Sequence, residues 1–305
     1  MDAKAYLAYV VVCLVWGSTY LANRIGVSEL PTSVVAGSRF FLAGVIMLAY
    51  VYLRKHELPR WPGDYKVIAV VGLALLFGGN GLLVWSLQYI SAGLSAVIFC
   101  TVPFFVAILE FLLPGGSRLV FKGWAGLLLG FLGVGVLIFP GWSLQAVDPR
   151  GVAGTLAASL LWAAGSLYSA RNPVSGSTLA FSALQSLLAG TAFLLTGLLF
   201  IGPDLFNLTT RGAAAIFYLI FAGSFLGYSC FLYILKVMPP AKAITYTYVN
   251  PLVAVVLGWL ILDEAITLRE IAAAFFILAG VLLVQTSRLR SKQRPMEAVK
   301  AESKI

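Results

Sequence analysis

Gln88-Tyr89-Ile90-Ser91-Ala92-Gly93 runs on to Cys100-Thr101-Val102-Pro103, and Lys236-Val237-Met238-Pro239-Pro240-Ala241 runs on to Tyr248-Val249-Asn250-Pro251. The two stretches read as one sequence written twice, displaced by 251 − 103 = 148 residues. At the same displacement Gly79 falls on Gly227, Trp85 on Tyr233, Ser95 on Ala243 and Leu109 on Leu257. Farther along, a slip of one residue brings Gly133 onto Gly280 and Lys122 opposite Arg269. Self-similarity on this scale makes the two halves diverged copies, a reading that precedes any assignment of single elements.

Apolar residues make up 60% of the 305-residue chain and charged residues 11%, with a mean hydropathy of +0.95. That balance excludes an ordinary soluble domain. Crossing the hydrocarbon takes roughly 20 apolar residues. Ten such stretches can be read, near Ala5–Asn23, Ser33–Leu53, Lys66–Gln88, Gly93–Leu113, Lys122–Phe139, Gly151–Ala170, Ser177–Phe200, Gly212–Leu235, Ala241–Leu262 and Leu268–Thr286. The expected fold class is an all-α polytopic membrane protein of ten transmembrane helices. Its expected parts are a first five-helix repeat over 5–139, an external linker at 140–150, a second repeat over 151–286 and a basic cytoplasmic tail at 287–305. Trp16, Tyr20, Asn23 and Arg24 stand where a signal peptide would need small residues, so the first span is expected to remain uncleaved.

Lys and Arg are retained on the cytoplasmic side of a membrane. Loops on the N-terminal side carry Lys4, Arg54, Lys55, Arg60, Lys66, Arg118, Lys122, Arg171, Lys236 and Lys242, with Arg288, Arg290, Lys292, Arg294, Lys300 and Lys304 in the tail. The opposite loops hold only Arg24, Arg150, Arg211 and Arg269. Both termini are therefore expected in the cytoplasm, and the net charge of +9 follows loop parity rather than a nucleic-acid-binding face. The polar segment Arg288–Ile305 reads as a disordered tail near anionic lipid. Five spans per copy reverse the entry side of the second, so the repeats are expected to be inverted. The loop with Arg118 and Lys122 answers to the loop with Asp263 and Glu264, as opposite faces require. Inverted five-span repeats are a construction of secondary transporters working by alternating access.

Leu14-Val15-Trp16-Gly17-Ser18-Thr19-Tyr20, Arg39-Phe40-Phe41-Leu42-Ala43-Gly44, Ala92-Gly93-Leu94-Ser95-Ala96 and the Pro103 stretch, in this order, resemble the EamA family of the drug/metabolite transporter superfamily. The resemblance spans about Ala5–Thr286. It implies a ten-helix carrier, often an exporter of amino acids or related metabolites, with a cavity between the centres of spans one, three, four, six, eight and nine. On this chain those centres correspond to Trp16, Asn80, Phe99, Trp162, Tyr228 and Tyr246. The first half departs from the family pattern at Pro114-Gly115-Gly116, where such repeats often carry a Gly-Glu pair; the second half has Asp263-Glu264.

The residues themselves point to the same depth. Pro103 and Pro251 each remove an amide hydrogen and free a carbonyl one turn back, at Phe99 and Thr247. Matching breaks in two halves mark a transporter site, while a single proline reads equally well as a structural kink. Trp16 and Trp162 correspond at 162 − 16 = 146, and Asn80 corresponds to Tyr228 at 148. Thr101, Tyr246, Tyr248 and Asn250 flank the prolines. Indoles and phenols hold an apolar or cationic body, and amides and hydroxyls orient a polar head. Tyr6, Tyr9, Trp61, Trp142 and Trp259 instead suit interfacial belts.

Tyr20, Arg39, Gln185 and Glu110 complete the polar candidates. Arg39 is the one base well inside a span, with Gln185 as its counterpart at 185 − 39 = 146. A buried charge costs a few kcal/mol at least; Arg39 is read either as a carboxylate- or phosphate-binding group or as a packing arginine. Glu110, near the cytoplasmic end of span four, is expected to pair with Arg118 or Lys122. Gly123, Gly126, Gly130 and Gly133 with Ala272, Ala273, Ala279 and Gly280 allow close helix approach, as a scaffold or a homodimer face.

Enzyme chemistry finds no footing. The sole histidine, His56, lies in a basic loop, so neither a His-based triad nor a His-rich metal site can be built. Cys13, Cys100 and Cys230 show no ligand spacing, and no phosphate-binding loop for ATP is present. No cofactor or metal is expected. The partners are a small-molecule substrate and the lipid bilayer. Amino-acid or metabolite export leads, with efflux of hydrophobic cations or drugs as the alternative; a non-transporting sensor or scaffold and an intramembrane enzyme are the readings of a different class.

Overall fold

The computed structural model describes residues 3–114, 120–138, 147–200, 209–237 and 246–302. Most of the linker expected at 140–150 lies outside them, as do Arg118, Trp142 and Lys242. Among the described residues the chain forms ten helical rods. These are α1 (Ala3–Glu29), α2 (Thr32–Leu53), α3 (Pro62–Ser86), α4 (Ala92–Leu112), α5 (Phe121–Ile138), α6 (Pro149–Arg171), α7 (Thr178–Phe200), α8 (Thr210–Tyr218, Leu219–Leu226 and Gly227–Val237 end to end), α9 (Tyr246–Leu262) and α10 (Leu268–Glu302). Helices suit such a sequence because each satisfies its own backbone polar groups where water is absent.

Seven helices are long and apolar enough to cross a membrane: α1 to α4, α6, α7 and the Thr210–Phe231 part of α8. Phe121–Val136 and Tyr246–Leu262 are apolar but shorter. Starts are marked chemically. Ser91 caps α4 by accepting from Leu94 N at 3.1 Å, Asp148 caps α6 by accepting from Arg150 N at 2.9 Å, and Thr209 caps α8 by accepting from Gly212 N at 3.2 Å. Each satisfies one of the amides a helix leaves unpaired at its start.

One expectation fails at the C terminus. Instead of a disordered tail from Arg288, α10 continues as helix to Glu302. Arg, Lys, Gln, Met, Ala and Glu dominate this stretch and are strong helix formers, so a helix already nucleated in the apolar part propagates through them.

Helix pairing follows the duplication. α2 packs most extensively on α7, and α5 on α10. α1 lies against α8 and α9, while α6 lies against α3 and α4. Exchanging α1–α5 with α6–α10 leaves this set of neighbours unchanged. Close approach depends on glycine at matched places: a Cβ on Gly44 would stand 2.7 Å from Leu187 N, and one on Gly190 would collide with the backbone of Phe41. On α5, Gly126 and Gly133 face α10, at Gly280 and Ala273, and Gly130 faces the Phe104 ring. The small-residue stripe is thus spent inside the chain.

Nothing in the sequence pattern announces the two π-helical segments, Gly72–Asn80 in α3 and Leu219–Leu226 in α8. Shifted by 148, the first would cover 220–228, nearly the place of the second. Wide turns of this kind are rare and gather at functional sites.

Candidate site at the crossing of α4 and α9

The two prolines act differently. α4 is interrupted at Cys100–Thr101 between pieces Ala92–Phe99 and Val102–Leu112, with Pro103 in the first turn of the second piece. Thr101, fully buried, donates its hydroxyl to Ile98 O at 2.8 Å and so helps to satisfy the broken turn. α9 runs unbroken through the buried Pro251. Pro251 has no N–H to offer Thr247 O one turn back, and the Cys100 thiol from α4 donates to that carbonyl at 3.4 Å. A cysteine that reads from sequence as a small apolar filler therefore completes the hydrogen bonding of the neighbouring helix.

Aromatic side chains gather on both sides of this contact. On one side Trp16 of α1 meets Phe231 of α8 and Tyr246 of α9, each at 5.0 Å between centroids, and Tyr228 stands 6.5 Å from Phe231. On the other, Trp162 of α6 meets Phe99 of α4 edge-on at 5.7 Å. The pairs Trp16–Tyr246 and Trp162–Phe99 join equivalent helices of the two halves. Tyr246 and Phe99 directly precede Thr247 and Cys100, so the two ring groups adjoin the same crossing. Edge-on geometry between rings is the arrangement their quadrupoles favour.

The π segments bind these indoles from behind. Trp16 Nε1 donates to Gly223 O at 3.0 Å, and a Cβ on Gly79 would stand 3.5 Å from the Trp162 ring. Gly227, the counterpart of Gly79, would with any Cβ lie 2.5 Å from Trp16 Nε1. Each tryptophan thus lies over a glycine in the opposite half, Gly79 next to last in its wide segment and Gly227 directly after the other.

The remaining polar candidates are distributed unevenly. Asn80, last residue of its π segment, has a buried Oδ1 without a partner, and buried Gln185 has an unpartnered Nε2. Asn250, with its amide nitrogen toward the acceptors, donates to Tyr246 O at 3.1 Å and to Cys13 O at 3.2 Å, joining α9 to α1. Tyr228 shares a hydrogen bond with Ser182 of α7. Tyr20 lies one turn beyond Trp16 on α1, within electrostatic reach of Cys100 and Tyr246. Glu110 is half-buried on the second piece of α4, seven residues past Pro103 (110 − 103 = 7). Arg39 donates from Nε to Ser224 Oγ at 3.3 Å and has the Phe40 ring 5.0 Å away. Phe231, Ser182 and the Gly223 carbonyl are additions the sequence did not single out. Phe231 follows Tyr228 by three residues, the spacing of one helix face.

One end of the bundle is tied across the halves. Glu264, in the α9–α10 connection, accepts from Ala92 N at 3.0 and 3.1 Å and lies 3.8 Å from Arg24 of α1. The chain reverses there through Asp263, in the left-handed region at φ 52°, a conformation Asp tolerates better than most residues. A cleft of ≈ 260 Å³ opens beside this contact, bordered by Arg24, Tyr89, Asp148 and Arg269. Another of ≈ 470 Å³ lies between α2, α3 and α7, around Phe77, Trp85 and Phe193. Neither includes Trp16 or Trp162.

The sequence pattern of the EamA-like transporter family matches this chain twice, over residues 3–139 and 149–286. The chain belongs to the EamA-like transporter family. It is 33% identical over 287 residues to the inner membrane transporter YedA of Escherichia coli K12, covering 93% of this chain and 92% of that one. A Salmonella typhimurium protein named "Probable amino-acid metabolite efflux pump" is 28% identical over 295 residues, covering 93% and 95%. One solved crystal structure superposes with a TM-score of 0.59 at 18% identity, over 94% of this chain and 99% of the other, a likeness of fold. Family membership makes this EamA-like protein a secondary transporter, an integral multi-pass membrane protein and not an enzyme.

Proposed function

We propose that this transporter exports small amphipathic metabolites, amino acids or related compounds first, by alternating access between two inverted five-helix repeats, 5–139 and 151–286. The observation that carries this reading is the pair of ring groups, Trp16–Tyr246 at 5.0 Å and Trp162–Phe99 at 5.7 Å, set on equivalent helices around the α4–α9 crossing. Together with Asn80, Thr101, Tyr228 and Asn250 they form the substrate-binding set, and Pro103 and Pro251 mark the hinges beside it. Rings suit an apolar body, while so few charges disfavour a multiply charged phosphate ester, whose desolvation would need several basic partners. The family match over both halves and the neighbour pattern that survives their exchange support the repeat. The rods and the loop charges support ten crossings with cytoplasmic termini, and the name of the E. coli relative supports an inner-membrane location. The Salmonella relative's name supports the substrate class. A homodimer gains nothing from the glycine stripe, because that stripe faces inward.

Energy coupling by facilitated transport or exchange fits the scarcity of mid-span acids better than obligatory proton antiport. Uphill flux driven by a pH gradient alone, abolished in Glu110→Gln, would overturn that part. The main test is counterflow in proteoliposomes with a panel of zwitterions and organic cations. Trp162→Ala should weaken transport of the preferred substrate while the yield of folded protein holds. Unchanged kinetics would remove Trp162 from the site, and flux of cations alone would favour the drug-efflux alternative. Thiol labelling at 115–117 and 263–265 should occur from opposite sides of the membrane; labelling from one side sinks the inverted arrangement.

A further inference from the structure

Arg39 keeps only 8% of its surface exposed, on the third turn of the apolar α2. A guanidinium held there for structural reasons would be expected to meet a carboxylate or several carbonyls, since burying a charge without partners is costly. Among the described residues it meets neither. Its one hydrogen bond goes from Nε to the neutral Ser224 hydroxyl at 3.3 Å, and that hydroxyl spends its own hydrogen on Leu219 O at 3.1 Å. The Phe40 ring covers one side at 5.0 Å. The planar fork formed by Nη1 and Nη2 is left without a protein acceptor.

The fork is also well placed. Nη2 lies 3.6 Å from the point where a Gly223 Cβ would be, and the Thr19 methyl lies 3.0 Å from the same point. The carbonyl of that same Gly223 holds the Trp16 indole at 3.0 Å. Trp16 and Arg39 therefore converge on one residue of the π-helical segment of α8, the indole belonging to the ring group and the guanidinium adjoining it. In the other half, Gln185 occupies the equivalent place with an unpartnered buried Nε2, and its backbone stands 3.2 Å from the point of a Gly72 Cβ, where the α3 π segment begins. A nitrogen donor is thus present at both places, and only one of them carries charge.

We propose that Arg39 binds the carboxylate of the transported molecule and so selects anionic or zwitterionic amphipaths over plain cations. This rests on the transport reading above. A guanidinium fork matches a carboxylate with two parallel bonds, which an ammonium cannot reproduce, while Trp16, Tyr246 and Phe231 take the apolar body.

The test uses the full chain in proteoliposomes with three probes: L-phenylalanine, phenethylamine, which lacks the carboxylate, and 3-phenylpropionate, which lacks the amine. Arg39→Gln should raise the KM for L-phenylalanine by about tenfold to a hundredfold and leave phenethylamine unchanged. Arg39→Lys, a point charge without the fork, should fall between. An unchanged KM for L-phenylalanine, an equal loss for all probes, or a wild type that moves phenethylamine but neither carboxylate overturns the assignment. Should Arg39→Gln fail to fold, Arg39→Lys carries the comparison, and an L-phenylalanine KM in that variant equal to wild type overturns it. If the wild type moves none of the probes, the transport reading falls first. Arg39 then stands only if 3-phenylpropionate raises the melting temperature of the wild type and not that of the variant, and falls otherwise.

Discussion

The sequences of the two halves part company where the second half closes. In the second half Glu264 turns back to the start of α4 and takes the Ala92 amide at 3.0 Å, with Arg24 at 3.8 Å. The corresponding pair is 264 − 148 = 116, in the first half, and 92 + 148 = 240, in the second. These are Gly116 and Pro240. Glycine has no carboxylate to offer and proline has no N–H to receive it, so both partners have been lost together. Even with the one-residue slip the acceptor would be Ser117. Room for the carboxylate has diverged in the same way: Gly258, against which Glu264 Oε2 rests, answers to Glu110 at 258 − 148 = 110. A duplicated sequence can keep its helix pairing while carrying the two residues of this particular tie in one copy only.

Three substitutions and one double variant probe this contrast. The largest effect is expected for Glu264→Ala, which strands the Ala92 amide and takes the carboxylate from Arg24, leaving that guanidinium its bond to Leu87 O; it should lower stability by about 2–3 kcal/mol, read as a fall in melting temperature. Gly116→Glu in the other half should change little, because Pro240 cannot donate; a gain there comparable to the Glu264→Ala loss would break the comparison. Gly258→Ala follows, at about 1–2 kcal/mol, since its new methyl would occupy the place of the Glu264 carboxylate. Combined with Glu264→Ala it should add almost nothing, and full additivity in the double variant would argue against the shared cause.

Cys100→Ala should be smaller, at about 1 kcal/mol, through loss of the thiol's bond to Thr247 O. Cys100→Ser should recover most of the loss because its hydroxyl still donates. If serine and alanine behave alike, the thiol contact with α9 contributes nothing.

The smallest effect concerns pH. Burial pushes the Glu264 carboxyl above its ordinary value of 4.5, outweighing the pull of the Ala92 amide and Arg24. The folded chain then holds this proton more tightly than the unfolded chain does. The associated stability is fully present below the unfolded pKa and is lost as pH rises through the raised folded one. Glu264→Gln, which still accepts from Ala92, should flatten the dependence of melting temperature on pH across that window. An unaltered profile would place the titration elsewhere.

Much of this arrangement can be read from the sequence, because prolines, tryptophans and glycines repeated at displacements of 146 to 148 residues mark equivalent helices before any packing is known. Trp16 and Trp162 stand out in this way and Phe99 and Tyr246 through the family resemblance; in the structure their rings pair as Trp16–Tyr246 and Trp162–Phe99. What escapes the sequence depends on backbone geometry or on distant partners. No composition signals a wide turn at Leu219–Leu226, and hence none signals that Gly223 would offer its carbonyl to an indole. Nothing in Cys100 alone announces that its thiol meets a carbonyl freed by Pro251, since the two residues are 251 − 100 = 151 apart in the chain. Repeat equivalence also misleads at the prolines, where identical residues accompany one broken helix and one continuous one.

The π-helical stretches have a further consequence for chain length. A wide turn stores a residue beyond what a tight helix needs for the same advance. Removing one residue from Gly72–Asn80 or Leu219–Leu226 would let the rod relax into ordinary α-helix with its ends still in place, whereas the same deletion within α2 or α7 would turn every residue beyond it by about 100°. In α8 that relaxation would return the Gly223 carbonyl to its own helix and leave the Trp16 indole without it.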